Sequence, residues 1–230
     1  MLEQISAGSI SDEGTVVTAY SQTHGKGFGN TVWESKPGKN LTISVLLKPD
    51  FLRAEHQFLL NKVVSLAVKD FICLHVTGHP VRVKWPNDIY IGDRKVAGIL
   101  INNTISGNRM IYAVAGIGMN INQKNFSGIA SNPVSIIHFT GNVLDRHECL
   151  KEFLVCLDER YCELKQGNLR QIDSDYFSSL YRLNQFHSFI YQGENVSGKI
   201  TGINEYGFLN LTLTGDRRVE CDFKEIEFVI

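Results

Sequence analysis

Apolar residues are arranged in two different patterns along the chain, and each pattern predicts one type of secondary structure. Short β-branched and apolar runs at 15–20 (TVVTAY) and 41–47 (LTISVLL) predict strands. Over 53–76 the apolar residues recur at helical spacing, which predicts a long amphipathic helix. A second helix is predicted over 145–167, where an acidic residue begins the periodic segment and Gly167 ends it.

Between the two helices, apolar runs at 81–85, 88–92, 95–103 and 110–122 are separated by Asn, Asp and Gly. This pattern is typical of antiparallel strands joined by hairpins. Beyond about residue 185 the chain changes to five short β runs separated by Gly and Asn, which predicts a small five-stranded β-barrel. We therefore predict an α+β fold. A mixed, largely antiparallel sheet with packed helices forms a catalytic domain over 1–184, and the barrel forms a second domain over 185–230.

Composition and charge narrow the classes of function. The chain has 230 residues, of which 43% are apolar and 20% charged, as in an ordinary globular protein. A net charge of −1 without a basic stripe argues against nucleic acid as the main partner. No run approaches the roughly 18 to 20 apolar residues that span a bilayer, and no signal peptide is visible. We therefore expect a cytoplasmic protein with no membrane partner. The five cysteines form no Cys-x-x-Cys pair, so we expect them to be reduced thiols.

A glycine-rich segment at 21–40 is too long for a simple connection between strands. Gly25 and Gly27 allow the backbone to approach a ligand closely, and Lys26 adds the positive charge that an anion requires. The segment is neither a Walker A loop nor a dinucleotide fingerprint, since Asn30 stands where the third glycine belongs. Taken alone, a flexible surface loop is an equally good interpretation.

A second polar cluster interrupts the apolar strands at 84–88 (KWPND), with Lys95 downstream. Pro86 restricts the backbone, so that Asn87 and Asp88 are held in place. The Asp88 carboxylate is suited to a ribose hydroxyl or to Mg²⁺, and Lys95 to the charge that develops on a phosphate or carboxylate oxygen. Taken singly, a polar turn and a solvated lysine are the simpler interpretations.

Taken together, these motifs resemble those of the biotin protein ligases, in the same order and spacing from about Thr15 to the C-terminus. KWPND followed by a downstream K-x-x-G-I-L is a specific combination. The matching segments, in chain order, are Gln22-Thr23-x-Gly25-Lys26-Gly27, Trp33-x-Ser35, Gly38-Lys39-Asn40-Leu41, Lys84–Asp88, Lys95–Leu100 and Gly116–Asn122.

The resemblance implies a class II synthetase-like catalytic domain, in the form without an N-terminal DNA-binding domain. Such an enzyme activates biotin with ATP and Mg²⁺ to biotinyl-5′-adenylate and then transfers the biotinyl group to one lysine of a biotin carboxyl carrier protein or domain. The site residues that it implies are biotin and adenylate contacts at Gln22, Gly25, Lys26, Gly27, Phe28 and Lys95; nucleotide contacts at Trp33, Asn87, Asp88 and Asn120; catalytic groups at Lys95 and Asp88; and a Mg²⁺ ligand at Asp88. The oligomeric state stays open, a homodimer included.

Two departures from the family pattern leave alternatives open. The family's loop carries arginines where this chain has Lys26 and Phe28, so a bidentate grip on phosphate is lost. The family's Ser-Thr-Asn motif, whose polar groups reach the biotin ring system, is absent from residues 1–14. Either the protein starts upstream of Met1 or one wall of the pocket is missing. The rival functions are a lipoate–protein ligase and a non-catalytic biotin- or carrier-binding protein.

The Phe28 departure gives a test of the loop. We expect Phe28→Arg to slow dissociation of the adenylate roughly tenfold, because a guanidinium forms charge-assisted hydrogen bonds with phosphate. The dissociation rate, measured by displacement of labelled adenylate with Phe28→Ala as control, checks this. An unchanged rate in Phe28→Arg would show that the loop does not set adenylate release.

Overall fold

The computed structural model describes residues 1, 4–5, 8, 12–22, 25–26, 32–127 and 132–230, with the backbone alone at 25, 26 and 32. The first strands are β1 (Val16–Thr18), β2 (Gly25–Lys26), β3 (Val32–Trp33), β4 (Leu41–Leu47), β5 (Val81–Lys84), β6 (Asp88–Ile91), β7 (Arg94–Ser106) and β8 (Arg109–Met119). The helices are α1 (Phe58–His75), α2 (Ile137–Thr140), α3 (Arg146–Lys165) and α4 (Leu169–Ser178). The last strands are β9 (Phe186–Tyr191), β10 (Glu194–Ile203), β11 (Leu209–Leu213), β12 (Arg218–Cys221) and β13 (Ile226–Phe228).

The main sheet has six strands in the order β1-β4-β8-β7-β6-β5, and every neighbouring pair is antiparallel. The strands from β5 to β8 follow one another as hairpins, as the spacing of Asn, Asp and Gly predicted. Parallel contacts occur only as isolated bridges among the described residues, such as Lys95 with Pro133. The α+β prediction and the largely antiparallel sheet are therefore confirmed.

One face of this sheet is covered by the two predicted helices. The buried side of α1, which includes Val63, Ala67 and Phe71, lies across β5, β6 and β7. Helix α3 packs against α1, with the rings of Phe71 and Phe153 edge to face at 6.3 Å. The Asp145 carboxylate accepts hydrogen bonds from the first turn of α3, which is the capping predicted for this helix. Both helix predictions are confirmed.

Helices α2 and α4 were not predicted, because neither is long enough to show a clear period. Helix α4 buries only Ile172 and Tyr176. It is held by Arg160 of α3, which donates to Asp175 of α4 and to Asp70 of α1, both at 2.7 Å. Within the part of the chain that the structure describes, no helix is both long and apolar enough to cross a membrane.

The C-terminal strands form a separate antiparallel sheet in the order β12-β11-β10-β9-β13. The prediction of five strands is confirmed, but the prediction of a closed barrel is wrong. Closure requires the two end strands to pair, and here β12 and β13 do not pair with each other. These end strands have only four and three residues, so they extend the sheet without closing it.

Aromatic side chains join the two sheets. The indole Nε1 of Trp85 donates to the carbonyl oxygen of Gly207 at 2.9 Å, and its ring lies 5.1 Å from that of Phe223. Phe58 at the start of α1 also contacts Phe223, with ring centroids 6.5 Å apart. The C-terminal sheet thus packs on the KWPND turn. The division into domains at 184 and 185 stays a prediction.

The Trp85 hydrogen bond gives a test of this packing. We expect Trp85→Phe to lower the free energy of unfolding by about 1–3 kcal/mol, because the buried Gly207 carbonyl loses its donor. Urea denaturation followed by circular dichroism measures the loss. Trp33→Phe is the matched control, because its indole Nε1 has no hydrogen-bond partner among the described residues. An equal loss in both variants would contradict a specific role for the Trp85 bond.

Candidate active site

The sheet face opposite α1 carries a row of short or polar residues that crosses five strands. Lys84 pairs with Asp88, Asp88 with Gly98, Gly98 with Gly118, and Gly118 with Thr42. Directly paired residues point to the same face of a sheet. The middle of this row is therefore two glycines, which carry no side chain, and one end is charged.

A bulge in β7 brings Lys95 onto the same face. Without it, Lys95 and Gly98 would lie on opposite faces, because they are three residues apart on one strand. The pairing register shifts here: Ile89 pairs with Ala97, but Tyr90 pairs with Lys95. The extra residue turns the lysine over, as bulges commonly do.

Lys95 and Asp88 meet as an ion pair on this face. Lys95 Nζ lies 2.6 Å from Asp88 Oδ1, and the two side chains are 28% and 18% exposed. The backbone of Lys95 is also fixed, since its N–H donates to Asn132 and its carbonyl oxygen accepts from Val134. The ammonium group is therefore oriented before any ligand binds. The structure thus brings together Lys95 and Asp88, as predicted for a site.

The indole ring of Trp33 covers the glycine pair, Gly98 and Gly118. A Cβ atom on Gly118 would lie 2.5–2.7 Å from three atoms of the ring, and one on Gly98 would lie 3.4 Å from it. Lys95 Nζ is 5.8 Å from the centre of the same ring. Trp33 therefore forms one wall above the glycines, beside the cation.

The glycine-rich segment reaches the site through β2 and β3. Gly25 pairs with Trp33, and Lys26 pairs with Val32, so the backbone of the loop lies next to the Trp33 wall. Gln22 is half-buried just before this hairpin. Gly27 and Phe28, which were also predicted to contact the ligand, lie outside the described residues.

The two predicted asparagines are held firmly. Asn87 Nδ2 donates to the carbonyl oxygen of Ile99 at 2.6 Å, so this amide fixes the KWPND turn against β7. Asn120 is 2% exposed, and its Nδ2 donates to Val134 at 3.1 Å. Its Oδ1 is buried without a hydrogen-bond partner among the described residues. A buried acceptor without a donor is costly, and a ligand amino group would satisfy it.

Lys84 is a residue of the motif to which sequence reasoning gave no role. Its ammonium lies 4.5 Å from the ring centre of Phe228 and 5.7 Å from that of Tyr90. Burial lowers the pKa of Lys84, nearby Lys95 lowers it further, and Asp88 opposes both effects. Two lysines thus flank one carboxylate, and this end of the row has an excess of positive charge that suits an anion.

Gln123 and Glu34 were missed, because their types and spacing carry no recognisable signal, whereas Asn40 lies in a matching segment but was given no role of its own. Gln123 is 1% exposed and Asn40 is 2% exposed, and both lie in a polar network with Glu34 beside the Trp33 wall. Buried amides in loops are unexpected from sequence, since such residues are usually solvated.

The structure is thus an α+β fold with a glycine-lined sheet face, on which Trp33 lies and beside which Lys84, Lys95 and Asp88 cluster. The sequence model of the Biotin/lipoate A/B protein ligase family matches residues 4–120, just over half of the chain. The chain therefore belongs to this family, as the sequence motifs predicted.

Individual relatives agree with this assignment. The chain is 33% identical over 162 residues to the Bifunctional ligase/repressor BirA of Bacillus subtilis. The aligned region covers 67% of this chain and 48% of that protein. It is 33% identical over 142 residues to the Biotin--[acetyl-CoA-carboxylase] ligase of Paracoccus denitrificans, covering 58% of this chain and 57% of that protein. The match spans about half the length of the two Bacillus BirA relatives.

A solved structure matches nearly the whole fold. Biotin protein ligase from Aquifex aeolicus, in complex with biotin and ATP, superposes with a TM-score of 0.78 at 26% identity. The match covers 96% of this chain and 90% of that one, so it includes the C-terminal sheet. Biotin protein ligase from Leishmania major has the same fold at 20% identity, with a TM-score of 0.63.

The contact between Trp33 and the glycine pair can be tested directly. We expect Gly118→Ala to displace the indole, because the new methyl group would overlap it, and to cost about 1–3 kcal/mol of stability. Tryptophan fluorescence and thermal unfolding measure the two effects. Gly202→Ala is the control, since its Cβ would meet only ordinary contacts at 3.6 Å and beyond. Emission spectra that superpose for Gly118→Ala and the unmodified chain would contradict the packing.

Proposed function

We propose that this chain is an ATP-dependent biotin–protein ligase. It activates biotin to biotinyl-5′-adenylate and transfers the biotinyl group to a lysine of a biotin carboxyl carrier domain. The observation that carries this proposal is the Lys95–Asp88 pair beside the Trp33-covered glycine pair, on one open sheet face. The Paracoccus denitrificans relative is named a biotin--[acetyl-CoA-carboxylase] ligase, and the Aquifex aeolicus biotin protein ligase structure holds biotin and ATP.

The first half-reaction joins two anions. A carboxylate oxygen of biotin attacks the α-phosphorus of ATP, the bond from that phosphorus to the bridging oxygen breaks, and pyrophosphate leaves. A fixed ammonium group offsets the repulsion between the carboxylate and the phosphate and stabilises the charge of the transition state. We assign this role to Lys95, with Asp88 orienting its ammonium group.

In this proposal the acyl chain lies beside the Trp33 ring, which itself rests on the glycine pair. We assign the remaining contacts to the biotin and adenylate as the motifs implied, at Gln22, Gly25, Lys26, Gly27 and Phe28. Exclusion of water protects the mixed anhydride from hydrolysis, and we assign that role to the same glycine-rich segment. In the second half-reaction the carrier lysine attacks the acyl carbon and loses a proton, and AMP leaves.

The nucleotide lies toward the KWPND turn and Asn120 in this proposal. The unpaired Oδ1 of Asn120 suits the amino group of adenine. ATP enters with Mg²⁺, which neutralises phosphate charge, and the carboxylate of Asp88 supplies the oxygen type that Mg²⁺ prefers. We place the reaction in the cytoplasm, where the five free cysteines stay reduced.

Biotin-dependent exchange of labelled pyrophosphate into ATP tests the activity. Lipoate-dependent exchange would identify the rival ligase, which the matched family model also includes. Biotin binding without exchange would identify a non-catalytic relative. Transfer is checked by mass spectrometry of a biotin carboxyl carrier domain.

We expect Lys95→Ala to lose two to three orders of magnitude in exchange rate, because one such contact is worth about 2.7–4 kcal/mol in the transition state. Its fold should be retained, as the side chain is partly exposed. Lys151→Ala is the control, because Lys151 is an exposed lysine of α3 that pairs with the exposed Glu148. Exchange in Lys95→Ala close to that of Lys151→Ala would show that Lys95 is misassigned.

A further inference from the structure

A buried polar network ties the segment after Trp33 to the segment after β8. At its centre is Gln123, whose Oε1 accepts from Asn40 Nδ2 at 2.8 Å and from the Lys36 N–H at 2.9 Å. Its Nε2 donates to Glu34 Oε1 at 3.1 Å and to the Asn125 carbonyl oxygen at 3.2 Å. Every donor of this amide is used and its oxygen accepts twice, so its orientation is fixed.

Glu34 extends the network to Ser127. One carboxylate oxygen accepts from the Ser127 hydroxyl at 2.6 Å, and the backbone N–H of Ser127 donates to both oxygens at 2.9 and 3.1 Å. With the Gln123 bond, the carboxylate receives donors from two residues that lie about ninety positions further along the chain. These contacts cannot be explained by local turn structure.

The charge of Glu34 is retained at neutral pH. Its slight burial would raise the pKa of the carboxyl, but the hydrogen bonds from Ser127 and Gln123, together with nearby Lys36, lower that pKa below its usual value of 4.5. The group is therefore an acceptor only, and every partner that it meets is a donor.

The position of the network relates it to the site. Glu34 directly follows Trp33, which covers the glycine pair, and Gln123 comes three residues after Asn120. Asn40 also accepts from the Ile121 N–H at 3.1 Å, beside Asn120. The network thus fixes the distance between Trp33 and the segment that contains Asn120.

We propose that Glu34 is a positioning residue that sets the gap between the Trp33 wall and the Asn120 segment, through Gln123 and Ser127. This inference rests on the proposed function, because that gap holds the acyl-nucleotide. Glu34 itself contacts no reacting atom. Its role is to fix the opening in which biotin and ATP bind, so its loss raises KM more than it lowers kcat.

The test compares Glu34→Gln with the unmodified chain. The variant keeps the size of the side chain but places an NH₂ group where the partners are donors, so at least one bond is lost. We expect KM for biotin and ATP to rise roughly tenfold, with kcat changed less than threefold. Glu220→Gln, an exposed glutamate of β12, is the control and keeps both constants.

A readout that needs no ligand separates this inference from the proposed function. Acrylamide quenching of tryptophan fluorescence reports Trp33, because the other tryptophan, Trp85, is 2% exposed. We expect stronger quenching in Glu34→Gln and not in Glu220→Gln. If the unmodified chain lacks biotin-dependent exchange, the proposed function fails, while this quenching still decides whether Glu34 positions Trp33.

Ser127→Ala gives a second test in case Glu34→Gln folds poorly, since Ser127 is exposed and its loss removes one donor only. We expect the same direction of change in quenching and KM, and the double variant should not add the two effects in full. A lower melting temperature with quenching and KM unchanged would mean that the network is only structural, and the inference would be overturned.

Discussion

The position of one lysine depends on the register between β6 and β7. The two strands pair normally as far as Ala97, and one extra residue then turns Lys95 onto the face that carries Asp88 and Gly98. Without this bulge the ammonium group would face the apolar core against α1, where an unpaired charge is strongly unfavourable. The bulge therefore creates the cation site and also preserves the core.

On the same face, two positions without side chains lie beneath one large aromatic ring. Gly98 and Gly118 lie opposite each other and leave the backbone bare, and Trp33 fills part of the space above them. The ring stays there because the residues that follow it are held by a buried amide, Gln123. A residue that is far from the glycines in sequence thus covers them in the folded structure.

The KWPND turn links this site to the C-terminal sheet. Asp88 lies on the sheet face opposite α1 and pairs with Lys95, whereas Trp85 is buried against the C-terminal sheet and donates to Gly207. Lys84 pairs with Asp88 across the turn, with its ammonium over the ring of Phe228 from β13. The five consecutive residues of this turn therefore combine the ion pair of the candidate site with packing against the C-terminal sheet.

The local sequence pattern was enough to predict the helices and strands whose apolar residues recur at a clear period. The two long helices, the hairpins of the main sheet and the five C-terminal strands follow from residue spacing, and the order of motifs indicated the family. Closure of the C-terminal strands did not follow, because strand pairing at the ends depends on strand length and curvature. The bulge at Lys95, the covering of the glycines by Trp33 and the Gln123 network were decided only by tertiary structure. Each depends on a contact between residues far apart in the chain, and such contacts leave no period in the sequence.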